Sequence, residues 1–264
     1  MIRIILLLIL ILSAVNTKGQ HGARSAAMGH NNIAISDAFA LFNNPAATTN
    51  VHRSAFVLGW ENRFSVHKLS RNSAGALVKT KGGVLGMHIF HTGFSAYSES
   101  RGGLFYARQL SEHFSAAAQI NLLHTSIPEY YGSTISASTD LSIHYTINEN
   151  LSLGFLAANV LQLKRTHDPD PLTQTLQLGI LYQFSKKLLM TSDIIKDMDL
   201  PISFGLGLEW SVLDAFYLRT GMRHKPQINS FGTGYRIGSL IADISYSYAP
   251  ILGMTPSISL IYEF

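Results

Sequence analysis

Three side chains that could together support hydrolysis stand two positions apart in this sequence: Asp140, Ser142 and His144. Acyl transfer requires a nucleophile beside a base within hydrogen-bond reach. On a strand these residues share one face, but at about 3.3 Å per residue Ser142 and His144 are about 6 to 7 Å apart, and Asp140 and His144 about 13 Å. The separation of Asp140 and His144 is too long for a direct dyad, and Ser is so frequent on these strands that the pairing of Ser142 with His144 carries no information. The spacing therefore predicts a protein that is not an enzyme.

Metal and cofactor chemistry also lacks a recognisable motif. The 11 His residues are scattered without ligand spacing, and the chain has no Cys. The absence of Cys excludes thiolate metal sites, disulfides and a lipid anchor on Cys. A Gly-rich phosphate-binding loop is also absent from the sequence. We predict no cofactor and no catalytic, cofactor-binding or metal-ligating residue.

A second group of chemically interesting residues consists of charges at the polar positions of alternating runs near the C-terminus. They are Glu209, Arg219, Arg223, Arg236 and Asp243. Neighbouring strands would bring such groups within reach of one another, and unpaired charge in a low-dielectric interior is costly, so we predict an internal ion-pair network. The network could fill a narrow lumen or act as a polar filter for a permeating solute, and both interpretations stay open.

Alternating strands would position all of these side chains. Apolar residues recur at every second position over residues 135–147, 176–184 and 202–210, with mostly polar or small residues between them. This period of two is that of a β-strand, and no helical period fits these runs. About 14 such runs, many close to the roughly 9 to 11 residues of a membrane strand, follow one another through residues 53–264. The pattern predicts an all-β fold, a transmembrane antiparallel β-barrel of about 14 strands.

The chain ends on a clear example of such a strand. Ile258, Leu260, Tyr262 and Phe264 point to one face, which would meet lipid, and the residues between them point to the other. A terminal Phe after such a run is similar to the C-terminal signal that outer-membrane insertion machinery recognises. We predict that Leu260, Tyr262 and Phe264 carry that signal. A soluble protein that ends in an alternating strand is the alternative.

Connections between the runs are of two kinds. Some are tight and polar, such as Asn148–Asn150 and Ser185–Lys187, whereas others are longer and rich in Pro, Gly and charge, such as Thr92–Gly102 and Lys164–Leu172. Outer-membrane barrels have short periplasmic turns and longer extracellular loops. The alternation of the two kinds therefore predicts an even number of strands, with both chain ends on the periplasmic side.

The N-terminus has the features of a secretory signal. Arg3 is followed by an apolar run from Ile4 to Leu12 and by small residues up to Gly19. An apolar run of about nine residues is too short for a membrane helix, which needs about 20. We predict a cleaved signal peptide over residues 1–19 and a mature protein in the outer membrane of a Gram-negative cell. Loss of Arg3 and Lys18 lowers the formal net charge from +4 to about +2, which gives no reason to expect nucleic acid as a partner.

Residues 20–52 do not alternate and are rich in small side chains. Three stretches stand out: Gly22–Gly29 (GARSAAMG), Ile33–Ala38 (IAISDA) and Leu41–Ala46 (LFNNPA). On these stretches the segment resembles the N-terminal hatch of FadL-type outer-membrane transporters and of their PorV/PorQ-like relatives. The resemblance implies a barrel with the strand number that the alternating runs give, and with residues 20–52 folded inside it as a plug.

The same resemblance assigns five residues to a hatch motif. They are Gly22, Gly29, Asp37, Asn44 and Pro45. Pro45 fixes its own φ, and the residue before a proline is biased to extended conformations, so the Asn-Pro pair suits the corner between plug and wall. We therefore favour structural roles for Asp37, Asn44 and Pro45 over direct contact with a ligand.

Two functions are consistent with the resemblance. In the first, the chain is a non-enzymatic, PorV/PorQ-like subunit of a larger outer-membrane assembly, such as a protein secretion system of Bacteroidota-type cells, and it has an outer-membrane protein partner. In the second, it is a small FadL-like transporter for hydrophobic compounds. Short loops favour the first, because FadL-type transporters have large extracellular loops. Membrane lipid and the outer-membrane insertion machinery are expected partners in both.

Overall fold

The computed structural model describes residues 22–127, 132–163 and 172–264. The predicted signal peptide over residues 1–19 lies outside the described residues. So do most residues of two predicted loops, Ile127–Ser133 and Lys164–Leu172. In the described parts of the chain, no helix combines the length and the apolar character needed to cross a bilayer.

Within the described residues, 14 antiparallel strands close into one barrel, in which each strand pairs with its neighbours along the chain and β1 pairs with β14. In chain order they are β1 (Ala55–Asn62), β2 (Ser70–Thr80), β3 (Gly83–Phe94), β4 (Tyr97–Gln109), β5 (Phe114–Ile127), β6 (Gly132–Asn148), β7 (Leu151–Leu163), β8 (Thr175–Ser185), β9 (Leu188–Asp197), β10 (Ser203–Leu213), β11 (Phe216–His224), β12 (Ile228–Ile237), β13 (Leu240–Ala249) and β14 (Gly253–Glu263). The predicted fold class and strand number are confirmed.

The two faces of the wall differ in the way that the alternation predicts. On β14, Ile258, Leu260 and Tyr262 are exposed on the outside, whereas Ser257 and Ser259 are buried inside. Burial also alternates residue by residue along most of β10. A closed wall that satisfies its own backbone hydrogen bonds and presents apolar side chains outward is the surface that a bilayer requires of a β-structure. The barrel is therefore built to span a membrane.

The two ends of the barrel have connections of different length. At the end that carries the C-terminus, consecutive strands are joined by tight turns, such as residues 81–82, 186–187 and 238–239. Phe264 N–H donates there to Ser54 O at 2.9 Å, which ties the last strand to the start of the first. We call this end the turn edge. The opposite end, the loop edge, carries longer connections such as residues 63–69 and 198–202.

One predicted loop proved to be mostly strand. Thr92–Gly102 was expected to be an extracellular loop, but β3 continues to Phe94 and β4 begins at Tyr97, so only residues 95–96 connect them. The outward positions of this part of β4 are polar, since Ser98 and Ser100 face the same side as the exposed Leu104. This part of the hairpin extends beyond the apolar band of the wall, and it lacks the alternation on which the prediction depended.

Residues 22–50, which we call the inner segment, fold inside the barrel. The segment contains two short helices, Ala23–Ala27 and Ala40–Asn43, and a 3₁₀ helix, Pro45–Asn50. The first helix packs chiefly on β12 and β13, and the 3₁₀ helix packs on β4, β5 and β6. Most residues of the segment are buried. The inner segment therefore occupies the lumen and contacts opposite sides of the wall.

Candidate functional site

Glycines on the inner face of the wall bring its backbone close to the inner segment. A Cβ added at Gly154 would overlap the carbonyl of Ile33, and one added at Gly221 would overlap the backbone of Met28 and Gly29. These glycines form a track on five strands, β7, β8, β10, β11 and β12, facing residues 27–34. They are Gly154, Gly179, Gly205, Gly207, Gly221 and Gly232. The inner segment thus packs directly on the wall backbone along this track.

A cluster of buried charges, which we call the Glu209 network, joins the inner segment to the wall. Its members are Arg24, Asp37, Glu209, Arg219 and Asp243. Arg24 donates from Nε and Nη2 to the two carboxylate oxygens of Glu209, both at 2.7 Å. Arg219 donates to the same carboxylate and, through Nη1, to Asp243 Oδ1 at 2.6 Å. The structure thus brings together three of the predicted lumen charges and adds two residues of the inner segment.

The charges of this network do not cancel. Two arginines face three carboxylates, Asp37, Glu209 and Asp243. Burial acts to lower the pKa of Arg24, but the charges of Glu209 and Asp37 outweigh it and raise that pKa above its ordinary value. Burial raises the pKa of the Asp37 carboxyl, and Arg24 offsets only part of this effect. Arg24 therefore stays charged, and the Asp37 carboxyl is easier to protonate than an ordinary one.

The structure separates Arg223 and Arg236 from the predicted network. Arg223 donates to the carbonyls of Gly29 at 2.9 Å and His30 at 2.7 Å, so it holds a turn of the inner segment. Arg236 pairs with Glu263 at 3.0 Å, and its side chain is 39% exposed. Both arginines face inward, as predicted, but they lie at other heights in the barrel. Arg223 comes four residues after Arg219 on β11, and Arg236 comes four residues after Gly232, the partner of Arg219 on β12. Four residues along a strand amount to about 13 Å.

Asp193 on β9 binds the same turn of the inner segment that Arg223 binds from β11. Its Oδ2 accepts from the backbone N–H of Asn32 at 2.6 Å and of Ile33 at 3.1 Å, and the side chain is fully buried. Asp193 was not predicted from the sequence. The only signal in the sequence was a carboxylate at an inward position of β9. This signal did not indicate its partner, because the turn that it binds lies about 160 residues away in the chain.

The residues of the predicted hatch motif have positions that explain their types. Gly22 and Gly29 have positive φ angles of 98° and 68°, a region that favours glycine. Asp37 Oδ1 accepts from the N–H of Ala40 at the start of a helix. Asn44 donates through Nδ2 to Ile33 O at 2.7 Å and to a wall carbonyl, and Pro45 begins the 3₁₀ helix.

A second carboxylate cluster, the Asp140 network, lies within the wall on β4 to β7. Asp140 Oδ2 accepts from Arg101 Nη2 and from Asn121 Nδ2, both at 2.9 Å. Asp140 Oδ1 accepts from the backbone N–H of Asn159 at 2.7 Å. The wall is irregular there, because residues 158–160 of β7 lie opposite the single residue Asp140 and Asn159 has a φ of 56°. The carboxylate therefore satisfies the backbone of a bulge.

Asp140, Ser142 and His144 on β6 each contact different partners and do not contact one another. Ser142 Oγ accepts from the N–H of Ala46 at 3.1 Å, and His144 Nε2 lies 3.4 Å from Ser36 Oγ. Both bind the inner segment, whereas Asp140 binds the bulge. In residues 22–127, 132–163 and 172–264, no group of three or more His, Asp or Glu residues could hold a metal ion.

The predicted insertion signal lies on the outer surface. Leu260, Tyr262 and Phe264 are all exposed there. The ring of Phe264 stacks on Phe56 of β1 with a centroid separation of 5.0 Å and on Tyr262 at 6.4 Å. These contacts lie at the junction between the first and last strands, where the barrel closes.

Solved structures share this architecture. The Pseudomonas putida toluene transporter TodX superposes with a TM-score of 0.71 at 14% sequence identity, covering 92% of this chain and 98% of that one. The Ralstonia pickettii toluene transporter TbuX gives 0.74 at 14% identity, with 95% and 100% covered. A FadL homologue from Pseudomonas aeruginosa gives 0.64 at 12% identity, with 92% and 98% covered. The fold is therefore that of FadL-type transporters.

The sequence itself matches no protein-family model, and no curated protein matches it either. At 12 to 14% identity, the structural similarity establishes the fold and leaves the function to be argued from the site.

Proposed function

We propose that this chain is an outer-membrane channel for small hydrophobic compounds, and that the inner segment closes its lumen. The observation that carries the proposal is a membrane-spanning barrel with a folded segment inside it, whose contacts with buried charged side chains of the wall are concentrated on one side. The structural similarity to two toluene transporters supports the same class of compound. Non-enzymatic passage agrees with the separate engagement of Asp140, Ser142 and His144.

The contacts of the inner segment differ around the barrel, and this difference suggests a route. On β9 to β11, Asp193, Glu209 and Arg223 hold the segment by charged hydrogen bonds. On β1 to β5, the contact is chiefly apolar: Phe39 and Leu41 belong to one buried cluster with wall side chains such as Leu77 and Phe105. We call this contact the apolar seam.

The seam suits hydrophobic cargo for a physical reason. Dispersion contacts have no fixed direction, so an apolar molecule can replace one apolar neighbour by another at little cost. Passage on the polar side would instead break charge-assisted hydrogen bonds, which are among the stronger ones in proteins. In this proposal the polar side is a fixed anchor, and the apolar seam opens transiently.

The comparisons give no support to the function that the short loops favoured in the sequence, a PorV/PorQ-like subunit of a secretion system in Bacteroidota-type cells, and they agree better with the alternative, a FadL-like transporter. The connections that the structure describes completely are short at both ends, up to residues 63–69, and short loops are the feature that favoured that prediction. A protein partner in the outer membrane is not part of the proposed function, and the experiment below would detect one.

Uptake by intact cells tests the proposal. Gram-negative cells expressing the chain are compared with cells carrying an empty vector for uptake of a labelled monoaromatic hydrocarbon. Because the chain has no Cys, the variant Thr49→Cys/Ser115→Cys can lock the inner segment to β5 across the apolar seam, where Thr49 Oγ1 lies 2.8 Å from Ser115 Oγ. We expect faster uptake with the wild-type chain, loss of the increase in the oxidised double variant, and recovery after reduction.

Each single-Cys variant is the matched control, since it carries the substitution without the crosslink. Equal uptake by expressing and empty-vector cells, with the barrel folded in the membrane, would contradict a channel function. Stoichiometric co-purification of an outer-membrane protein in that case would favour an assembly subunit.

A further inference from the structure

The apolar seam borders an aromatic contact between the inner segment and the wall. Phe42 packs against the buried cluster of the seam. Its ring stacks on Phe39 with centroids 5.9 Å apart, and it lies 5.1 Å from the ring of His88, which faces inward on β3. We call the space that the Phe42 ring fills beside His88 the aromatic site. A molecule that moves along the seam and displaces Phe42 meets an imidazole ring there.

His88 is a buried polar side chain at the aromatic site. It is 6% exposed, and its Nδ1 atom has no hydrogen-bond partner in the parts of the chain that the structure describes. Buried polar atoms in proteins are nearly always paired, because an unpaired one loses its bonds to water and gains none. The aromatic site therefore favours a ligand that brings a hydrogen-bonding group.

The wall beyond His88 is polar. A Cβ added at Gly103 of β4 would overlap both the His88 ring and Asn121, so these two side chains flank the same glycine. Asn121 Nδ2 donates to Asp140 at 2.9 Å, and Asn121 Oδ1 accepts from Gln119 Nε2 at 2.6 Å. Among the described residues, Gln119 Oε1 also lacks a partner. A ligand in the aromatic site therefore has the apolar seam on one side and hydrogen-bonding side chains on the other.

The charges in this part of the wall are balanced. Arg101 and Asp140 form an ion pair at 2.9 Å, and Asn121 and Gln119 are neutral. A carboxylate in the aromatic site would lose its hydration and find the arginine of this network already paired. A hydroxyl carries no charge, and because it can both donate and accept, it pairs with Nδ1 of a neutral imidazole in either tautomer. These contacts favour a neutral ligand with a hydroxyl.

We propose that the aromatic site binds neutral phenols, with the ring of the phenol in the place of Phe42 and its hydroxyl bonded to His88. The ring is aromatic because the site already holds one, and contacts between aromatic rings are favourable beyond the area that they bury. The hydroxyl supplies the partner that Nδ1 lacks among the described residues. This inference rests on the proposed function for the route to the site, and it narrows the cargo from hydrophobic compounds in general to aromatic compounds with one polar group.

Binding to the purified barrel tests the proposal without requiring transport. Labelled p-cresol and labelled toluene, which differ only by the hydroxyl, are each dialysed to equilibrium against the barrel in detergent, and binding to detergent alone is subtracted. We expect the wild-type barrel to bind p-cresol about tenfold more tightly than toluene, which corresponds to about one hydrogen bond. The variant His88→Phe keeps a ring and removes both nitrogens, so we expect it to bind the two compounds equally.

His144→Phe is the matched control. His144 is also a buried inward histidine whose Nδ1 has no partner within the described ranges, but it lies on β6 beside Ser36 of the inner segment. We expect this variant to keep the preference for p-cresol. Equal binding of both compounds by the wild-type barrel would overturn the proposal. So would a preference that survives in His88→Phe, or one that is lost to the same extent in His144→Phe.

Phe42→Ala gives a second test that leaves His88 in place. Removing the ring leaves an apolar cavity next to the imidazole, and such cavities bind small aromatic molecules. We expect several-fold tighter binding of both compounds, with the preference for p-cresol kept. Unchanged or weaker binding would show that the ligand does not take the place of Phe42 and would overturn the proposal. Uptake of toluene without any preference in binding would contradict this inference alone, whereas preferential binding without uptake would contradict only the channel function.

Discussion

The Glu209 network and the Asp140 network lie on opposite parts of the same wall, and each is centred on a buried carboxylate that binds arginine. Their remaining partners differ. Glu209 binds Arg24 of the inner segment and Arg219 of the wall, so it joins two parts of the protein that are about 185 residues apart. Asp140 binds Arg101 and the bulge at Asn159, so all of the partners described for it belong to the wall.

This difference shows how the inner segment can fill the lumen and still be able to move without opening the barrel wall. Loss of a wall-to-wall contact weakens the barrel, whereas loss of a wall-to-segment contact can release the segment and leave the barrel closed. If the inner segment moves in function, the Glu209 network determines the cost of that movement and the Asp140 network does not.

The largest effect is expected for Arg219→Glu. The substitution removes a partner of both Glu209 and Asp243, leaves Glu209 with Arg24, and places another carboxylate between the two. Breaking a buried pair by removing one partner costs about 3 to 5 kcal/mol. We expect a clear drop in the urea midpoint of unfolding, measured by the heat-modifiable mobility of the folded barrel.

Arg236→Glu is the control for this prediction. Arg236 is also an inward arginine, but its pair with Glu263 is partly exposed, and such pairs contribute about 0 to 1 kcal/mol. Equal midpoints for the two variants would show that the buried network does not stabilise the barrel more than the exposed pair does.

The face of each charged residue could be predicted from the sequence, because a strand fixes it locally through a period of two. Glu209, Arg219 and Asp243 were placed inside on this basis, and the structure puts them there. The height of each side chain along the barrel could not be predicted, because it depends on strand register. The register places Arg223 and Arg236 away from Glu209, Arg219 and Asp243, which contact one another.

Partners from the inner segment could not be predicted for a different reason. Arg24 was visible only as part of a resemblance, since nothing near it in the chain indicates that Glu209 binds it. Arg101 was missed because it lies on a polar extension of β4, where alternation is absent. Local sequence patterns therefore predicted the strands of the wall. The long-range contacts between the inner segment and the wall could be identified only from the structure.

The next effect concerns the glycine track. Gly221→Ala adds a Cβ that overlaps the backbone of Met28 and Gly29, so the inner segment must shift. Forcing extra volume into a packed interior typically costs about 1 to 3 kcal/mol. We expect faster hydrogen exchange in residues 23–34, measured by mass spectrometry, with exchange in β3 to β6 unchanged.

Gly102→Ala provides the comparison, because a Cβ there meets only His88 O at 3.8 Å, an ordinary contact. Equal exchange in both variants would mean that the inner segment does not depend on close approach to the wall at Gly221.

Asp140→Asn should have a smaller effect, confined to the wall. The amide keeps an oxygen that can accept from Asn159 N–H, but the charge that Arg101 binds is lost. A hydrogen bond to a charged group contributes about 1.5 to 3 kcal/mol and one to a neutral group about 1 kcal/mol, so the loss of the charge alone costs about 0.5 to 2 kcal/mol. We expect faster exchange at residues 157–161 and no change in the inner segment. Faster exchange of the inner segment would show that the two networks are coupled.

The smallest effect is expected for Arg24→Lys, which separates charge from geometry in the Glu209 network. Lysine keeps the positive charge, but it cannot bind both oxygens of Glu209 as the planar guanidinium does, and it reaches Asp37 less well. We expect a loss of about 1 kcal/mol, the net contribution of a typical hydrogen bond. Exchange should rise several-fold in the inner segment alone, because Arg219 still neutralises Glu209 within the wall. A fall in the urea midpoint as large as that of Arg219→Glu would show that the inner segment and the barrel unfold together, and the anchor would then have no separate role.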